Sequence, residues 1–580
     1  MACAVVGNSA PPLISSSVAG FLSEATPAQF KDFQNHMFGG CGIVSPKGYR
    51  EIGRSMQELY NAANWLVDRH VEAGNGARIA VESGERKYTY ADMQCELFRV
   101  QHALSVLQVR QEDRVALVLN DEVAFPSWFL GSMRSGIVPI PLSTMLNGEE
   151  LGFVIDDSRA SVVVLSAPYA KWLPTIRSIA QDLKRAVIVG DLDEEARKIV
   201  RGEMEVGIYS WSDFDDVGEA PTARTGADSP GFWLYSSGTT GSPKGVMHRQ
   251  KALEVTAVNY GRSVIKIQPE DRCLSAAKLF FAFGLGNSLT FPFSVGATSI
   301  LNPAWATPKS VAEALELYRP SIFYGSPGLL ASIMDNQVSP DVMSSLRLVV
   351  VSGEALPAEI HRRFTELYKV PVLDGVGSTE ALHMFMCNRV GEERPGTSGR
   401  PVEGYEVKLI DGDGVEVTSP ETPGYLHIKG DSIATGYWCR YESAKKAFVG
   451  EWLRTGDVYT KTQDGYYHFL GRDNDMIKIG GIWVSPAEVE SVLTEHPGVL
   501  EAAVVGARTI TGLETAVAFV VPKSGKILEA ASLEQHCRAR MAAFKRPREI
   551  FFVDELPKTA TGKVKRFQLR QQIAESAPAE

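Results

Sequence analysis

The chain lacks the marks of several protein classes. No run of about 18 apolar residues occurs anywhere in it, so a membrane-spanning helix is not expected. Its seven cysteines (Cys3, Cys41, Cys95, Cys273, Cys387, Cys439 and Cys537) are odd in number, widely scattered and without a C-x-x-C pair. Neither a disulfide framework nor a zinc site is therefore indicated, and a reducing cytoplasm is the expected setting. The opening MACAVVGNSAPPLISSSVAGFLSE has neither the basic start nor the long apolar core of a secretory signal and reads as a loosely structured arm. Positive charge is not in excess: 59 Lys and Arg stand against 69 Asp and Glu, for a net charge of -10. That balance argues against a dedicated nucleic-acid binder and leaves small ligands as the expectation. No internal repeat or low-complexity tract stands out.

What is present reads as a globular enzyme. At 580 residues, with 44% hydrophobic and 22% charged positions, the chain can bury several cores and falls among ordinary folded proteins. From about Gln57 the stretch MQELYNAANWLVDRHVEA carries apolar residues at helical spacing. Short apolar runs follow (RVALVLN, IVPIPL, SVVVLS, RAVIVG, LRLVVVSG) and alternate with helical stretches, a rhythm that predicts α/β layers with largely parallel sheets. Turns at Asp411–Gly414 and Gln463–Phe469 punctuate apparent strands and predict a β-rich piece before Gly471, after which a β-α rhythm resumes. The expected division is an arm over 1–50, a large domain over 51–471 and a small α+β domain over 472–580, with the boundary near Arg472.

The first chemical motif is Tyr235-Ser-Ser-Gly-Thr-Thr-Gly-Ser-Pro-Lys-Gly245. Glycines let a backbone approach a ligand closely, and amides, hydroxyls and an ammonium are the donors that phosphate oxygens need. It is not a Walker loop, because Lys244 follows Pro243 rather than Gly and precedes Gly245 rather than Ser or Thr. A solvated surface turn is the alternative for such a stretch in isolation.

This loop resembles the signature of the acyl-adenylating superfamily, which includes acyl- and aryl-CoA ligases, peptide-synthetase adenylation domains and firefly luciferase. Further stretches match in the family's order: Gly377-Ser-Thr-Glu380, Gly424–Gly430 through Gly436-Tyr437, Arg454-Thr-Gly-Asp457, and Gly471-Arg472 continuing to Pro557-Lys-Thr-Ala-Thr-Gly-Lys563. The resemblance spans roughly residues 60 to 570 and implies ATP, Mg²⁺ and coenzyme A. It implies nucleotide contacts from Ser236, Ser237, Gly238, Thr239, Thr240 and Lys244, from the adenine-side loop Ser352, Gly353 and Glu354, and from Asp374. Thr379 would bind phosphate and Glu380 the metal; Asp457 and Arg472 would hold the ribose. Lys563 would bridge the incoming carboxylate and the α-phosphate, where a mobile ammonium offsets redistributing negative charge. Small-domain rotation is implied about a hinge at Asn474, where relatives usually carry Asp or Lys. Gly480 and Gly481 would line the thiol channel, and Lys478 is a candidate for assisting thioester formation.

Ala277-Lys-Leu-Phe-Phe-Ala-Phe-Gly-Leu-Gly286 places three phenylalanines among small residues and resembles benzoate-CoA ligases. By that likeness Phe281, Ala282, Phe283, Ala331, Gly377, His383 and Met384 surround an aryl ring, although ordinary core packing also uses such residues. Many benzoate ligases carry Tyr where this chain has Phe283, so anthranilate and salicylate stand beside benzoate as acids to consider. The expected function is an aryl-CoA ligase acting as monomer or homodimer, without nucleic acid or membrane. An enzyme loading a carrier protein, a luciferase-like oxygenase and a catalytically dead binding module are the alternatives.

Overall fold

The computed structural model describes residues 59–192, 194, 197–198, 206–214, 218–237, 243–479, 482–508, 514–523, 525, 528–558 and 564–576. Its first sheet has five parallel strands in the order Val138–Pro141, Arg114–Val118, Val162–Ser166, Arg185–Val189, Gly207–Ser210. Four of these are apolar runs singled out in the sequence. Val162–Ser166 is buried at every position, as a strand covered on both faces must be. The crossover helices include Ala124–Arg134 and Gly148–Ser158; the latter starts at Asn147, whose side chain and Glu150 form a reciprocal cap.

A second sheet has nine strands. Six run parallel in the order Val372–Gly377, Leu348–Val351, Ile322–Gly325, Arg272–Ser275, Thr298–Ile300, Ile79–Ser83. Antiparallel strands close both edges: Arg86–Thr89 on one side, Met384–Cys387 and Arg400–Pro401 on the other. In an open parallel sheet, ligands bind in the crevice beyond the carboxyl ends of the strands. Four neighbouring strands here lead from those ends straight into the predicted site segments. Arg272–Ser275 leads to Phe281–Phe283, Ile322–Gly325 to the helix bearing Ala331, Leu348–Val351 to Ser352–Glu354, and Val372–Gly377 to Thr379–Glu380.

The β-rich piece is a five-stranded antiparallel sheet of Tyr405–Ile410, Gly424–Gly430, Phe448–Val449, Trp452–Lys461 and Tyr467–Arg472. Residues from Ile477 onward build separate cores. One gathers Ile477, Val484, Val489, Leu493, Val504 and Leu533, the other Val505, Phe519, Leu556 and Leu569, around strands Val499–Arg508, Glu514–Pro522 and Glu549–Phe552. Parallel α/β layers, a β-rich piece and a C-terminal α+β part are the architecture expected from the sequence. Among the described residues no helix is long and apolar enough to cross a membrane.

Candidate active site

The phosphate-loop sequence is a hairpin. Strands Pro230–Ser237 and Pro243–Arg249 pair with Ser236 opposite Lys244 and Ser237 opposite Pro243. Gly238, Thr239 and Thr240 lie outside the described residues. A third short strand, Gly436–Tyr437, pairs with the Lys244 strand, setting Tyr437 opposite Val246. Tyr437 then joins two predicted site residues. Its hydroxyl donates to Glu380 Oε1 at 2.8 Å, and Lys244 Nζ lies 5.3 Å from its ring centroid.

Thr379 and Glu380 occupy a tight turn between Val372–Gly377 and Met384–Cys387, and both are half-buried. The turn needs Gly377: a Cβ there would stand 2.6 Å from the His383 carbonyl oxygen. Asp457 and Arg472 face each other across adjacent strands, with Nη1 and Oδ1 3.0 Å apart, and Arg472 also donates to the Thr455 carbonyl at 2.7 Å. The Asp457 carboxylate holds the Arg472 guanidinium above its usual pKa, and Glu380 adds to that. Ser352 is buried and donates to the Gly375 carbonyl at 3.0 Å. Gly353 has φ +101°, and Glu354 is exposed, with Lys558, Glu501, Arg566 and Glu490 as its charged neighbours.

Asp374 is placed differently from the other residues predicted to meet a nucleotide. Its carboxyl is 7% exposed and accepts from Asn388 Nδ2 at 2.7 Å, while burial pushes its pKa up to about 7. A carboxyl driven toward its neutral form by desolvation shows how deep this strand lies.

On the acyl side, Phe283 packs edge-on to Tyr324 and lies tilted against His383, with 5.4 Å between the latter centroids. His383 is 2% exposed, ringed also by Tyr260 and Phe291, and burial holds its pKa down to about 3, so the ring is neutral. Its Nε2 lies 3.2 Å from Asn287 Oδ1, and the ring also faces the Phe283 backbone, Nδ1 making no well-formed hydrogen bond. Phe281 meets Phe280 edge-on at 4.5 Å and, with Ala282, packs on the core of the first layers. The 278–284 turn is held by Lys278 Nζ, which donates to the carbonyls of Asn302 and Ala304 at 2.7 and 2.6 Å. Gly284 is required there, since a Cβ would lie 2.0 Å from the Lys278 carbonyl oxygen. The structure thus brings Phe283, Gly377, His383 and Met384 together, Met384 being opposite Gly377 in the strand register. Ala331 packs instead with Leu330, Phe323 and Val351 in a neighbouring cluster.

Asn474 is exposed between two tied residues: Asp473 pairs with Arg454 at 3.2 Å and Asp475 with Arg570 at 2.8 Å. Lys478 lies in the Ile477–Ile479 strand opposite Trp483. Gly480, Gly481, Lys563 and the arm over 1–50 lie outside the described residues. Asn287, Asn388 and His248 are not picked out by any sequence motif, and Tyr437, which closes one of the family's stretches, carried no role in the sequence until its contact with Glu380.

The donor set fits magnesium carried in with a nucleotide. Among the described residues no three His, Cys, Asp or Glu gather into a cage. One carboxylate, Glu380, stands beside a phosphate-type loop, and magnesium typically takes one or two carboxylates with phosphate oxygens and water.

A deep parallel-sheet crevice, a phosphate hairpin and a carboxylate-guanidinium pair on the β-rich piece define the class, and the chain belongs to the AMP-binding enzyme family. Residues 67–438 match that family and residues 488–563 match the AMP-binding enzyme C-terminal domain. Within it, the chain is 41% identical over 518 residues to the benzoate–CoA ligase of Thauera aromatica, covering 88% of this chain and 96% of that protein. It is 40% identical over 539 residues to a 4-hydroxybenzoate–CoA/benzoate–CoA ligase of Rhodopseudomonas palustris, covering 90% and 97%. A crystal structure of an anthranilate CoA ligase in complex with anthranoyl-AMP matches with a TM-score of 0.84 at 36% identity, over 90% of this chain and 99% of that one.

Proposed function

We propose that this chain is an ATP-dependent aryl-CoA ligase that adenylates benzoate or a substituted benzoate and transfers the acyl group to coenzyme A. The observation that carries the reading is the meeting, at the carboxyl ends of four neighbouring parallel strands, of an aromatic pocket around Phe283 and His383 with the Thr379–Glu380 turn. In the first step the acid's carboxylate oxygen attacks the α-phosphate of ATP and pyrophosphate leaves. Lys244, the Thr379 hydroxyl and Lys563 take the phosphate-side roles, and Asp457 with Arg472 holds the ribose hydroxyls. Glu380 would hold magnesium, whose contribution when bound is to neutralise phosphate charge. In the second step the thiol sulfur attacks the acyl carbonyl and AMP leaves.

The acyl-side rings favour a flat apolar acid. A ring substituent that donates a hydrogen bond would find buried polar atoms at His383 and Asn287, whereas one without a partner would be penalised on burial. We assign the large domain to 51–471 and the small one to 472–580, with Asn474 as the hinge and Lys478, Gly480 and Gly481 serving the thiol step. The exposed placement of Asn474, flanked by two ion-paired aspartates, supports that assignment.

The test is pyrophosphate release with MgATP across benzoate, anthranilate, salicylate, cinnamate and medium-chain fatty acids, with and without CoA, products being identified by mass. Preference for one benzoate with aryl-CoA formed is the expected result. Adenylation without transfer to CoA would move the thiol acceptor to a carrier protein, and refusal of every aryl acid would overturn the pocket.

A further inference from the structure

The turn that carries Thr379 and Glu380 is held at three successive carbonyls by three different groups. His248 Nε2 donates to the Thr379 carbonyl at 2.9 Å, which also accepts from Leu382 N at 3.1 Å. The Glu380 carbonyl accepts from Ala434 N at 2.8 Å, and the Ala381 carbonyl from Ser432 Oγ at 2.7 Å. Ser432 is itself hydrogen-bonded to Tyr405 Oη at 2.5 Å and is wholly buried. The turn closes through Leu382 at φ +68°, a conformation a leucine adopts only when its surroundings enforce it.

His248 is the member of this clamp that belongs to the phosphate hairpin. It lies in the Pro243–Arg249 strand with Lys244, is 2% exposed, and sits opposite Phe232, on which its ring stacks with centroids 5.0 Å apart. A carbonyl can only accept, so Nε2 carries the proton and Nδ1 is left as a bare acceptor. Nδ1 has no hydrogen-bond partner, although the ring also faces the Ser432 backbone. A buried nitrogen without a partner is costly, and a phenylalanine would keep the stack without that cost. Beside its contact with the Ser432 backbone, the imidazole's one well-formed hydrogen bond is to Thr379. Burial holds its pKa down to about 4, so this donor stays in one neutral form around neutrality.

We propose that His248 is a positioning residue of the adenylation step: it locks the Thr379–Glu380 turn to the Lys244 hairpin, so that hydroxyl, carboxylate and ammonium meet the nucleotide's phosphates as one rigid set. This rests on the reading of Thr379 and Glu380 as phosphate and metal ligands. The lock grips the phosphate side directly, at the Thr379 carbonyl, whereas Phe283, Phe291 and Tyr260 of the acid pocket come from other elements and only Gly377, His383 and Met384 flank the turn.

The experiment uses the full chain with benzoate, ATP–pyrophosphate exchange, and thioester formation from supplied benzoyl-adenylate and CoA. His248→Phe is expected to raise KM for MgATP about tenfold, the worth of one buried hydrogen bond, while KM for benzoate and the supplied-adenylate reaction stay within about twofold. His248→Gln, whose amide N–H reaches as far as Nε2, should recover most of the loss; His248→Asn, one methylene shorter, should not. Equal losses in both half-reactions, an equal shift in KM for benzoate, or Asn performing as well as Gln would each overturn the proposal. Should His248→Phe fail to fold, the Gln and Asn pair carries the decision. Glu380→Gln separates the role of the turn from the role of its lock. If it leaves MgATP use intact, the reading of the turn fails; if it cripples MgATP use while His248→Phe does not, only the positioning role fails.

Discussion

On one side of the crevice, the Ser378–Leu382 turn is fixed by uncharged, buried hydrogen bonds from His248, Ala434 and Ser432. On the other, the part from Asp475 to Ser576 ties itself together with partly buried ion pairs: Lys558 to Glu501 at 2.7 Å, Arg566 to Glu490 at 2.7 Å, and Arg570 to Asp475 at 2.8 Å. It meets the large part through Leu500 against the cluster of Phe323 and Val351, through Glu501 beside Gly328, through Lys558 and Arg566 near Glu354, and through Ser485 donating to the Leu470 carbonyl. Buried neutral bonds in a packed core do not respond to salt and leave no alternative arrangement, whereas ion pairs with one partner reaching solvent, as Lys558 does, are weakened by salt and more easily exchanged. A wall that stays and a face that can leave would suit the proposed two-step reaction, in which the proposed adenylation lysine withdraws before the second step.

The comparison breaks most visibly at Lys563. Its replacement by alanine is expected to cut adenylation by on the order of 10²–10³-fold, the loss seen when one preorganised charge-stabilising group is removed. Thioester formation from supplied acyl-adenylate should be largely spared. Equal loss of both half-reactions in a folded variant would show that the two faces do not divide the labour.

A middle-sized effect sharpens the fixed side. Asp374 has a folded pKa raised from 3.8 to about 7, so the folded chain holds this proton more tightly than the unfolded chain does. Stability from this group is therefore present in full below about pH 4 and is lost as pH rises toward 7, with a slope approaching about 1.4 kcal/mol for each pH step of one. Asp374→Asn keeps an acceptor for Asn388 and should flatten the decline of stability between about pH 4 and 7, measured by urea denaturation. An unchanged slope would remove Asp374 from the buried wall.

The smallest effect belongs to the departing face. Lys558→Ala should cost less than about 1 kcal/mol of stability at low salt and less still at high salt. A larger or salt-independent cost would mean that this face is as rigid as its opposite.

The sequence made the fold class and most of the charged site legible because the chemistry demands particular residue types in short order. Glycines and hydroxyls precede Lys244, Thr379 precedes Glu380, and Asp457 and Arg472 fall on strands that turn out to be neighbours in register. Parallel strands were visible as continuous apolar runs. What stayed hidden were pairings across the chain: Tyr437 sits in a motif that gave no sign of its bond to Glu380, and packing brings Asn287 to His383 without a local signature. His248 left a faint trace: it occupies a slot that alternates with buried Val246 in a strand, where a polar side chain asks for a partner. Asp374 shows the converse, since a polar residue beside a family motif is here satisfied inside the sheet by Asn388.

The close approach of Gly377 to the His383 carbonyl bears on how such an enzyme acquires new substrates. Any side chain at 377 collides with the protein's own backbone before it reaches an acid, so variation at that position is filtered by folding and never tested by selectivity. On the proposed pocket, changes in acid preference are left to its other residues, such as Phe283, His383 and Met384, and a mutational library that spends its diversity at 377 explores broken turns.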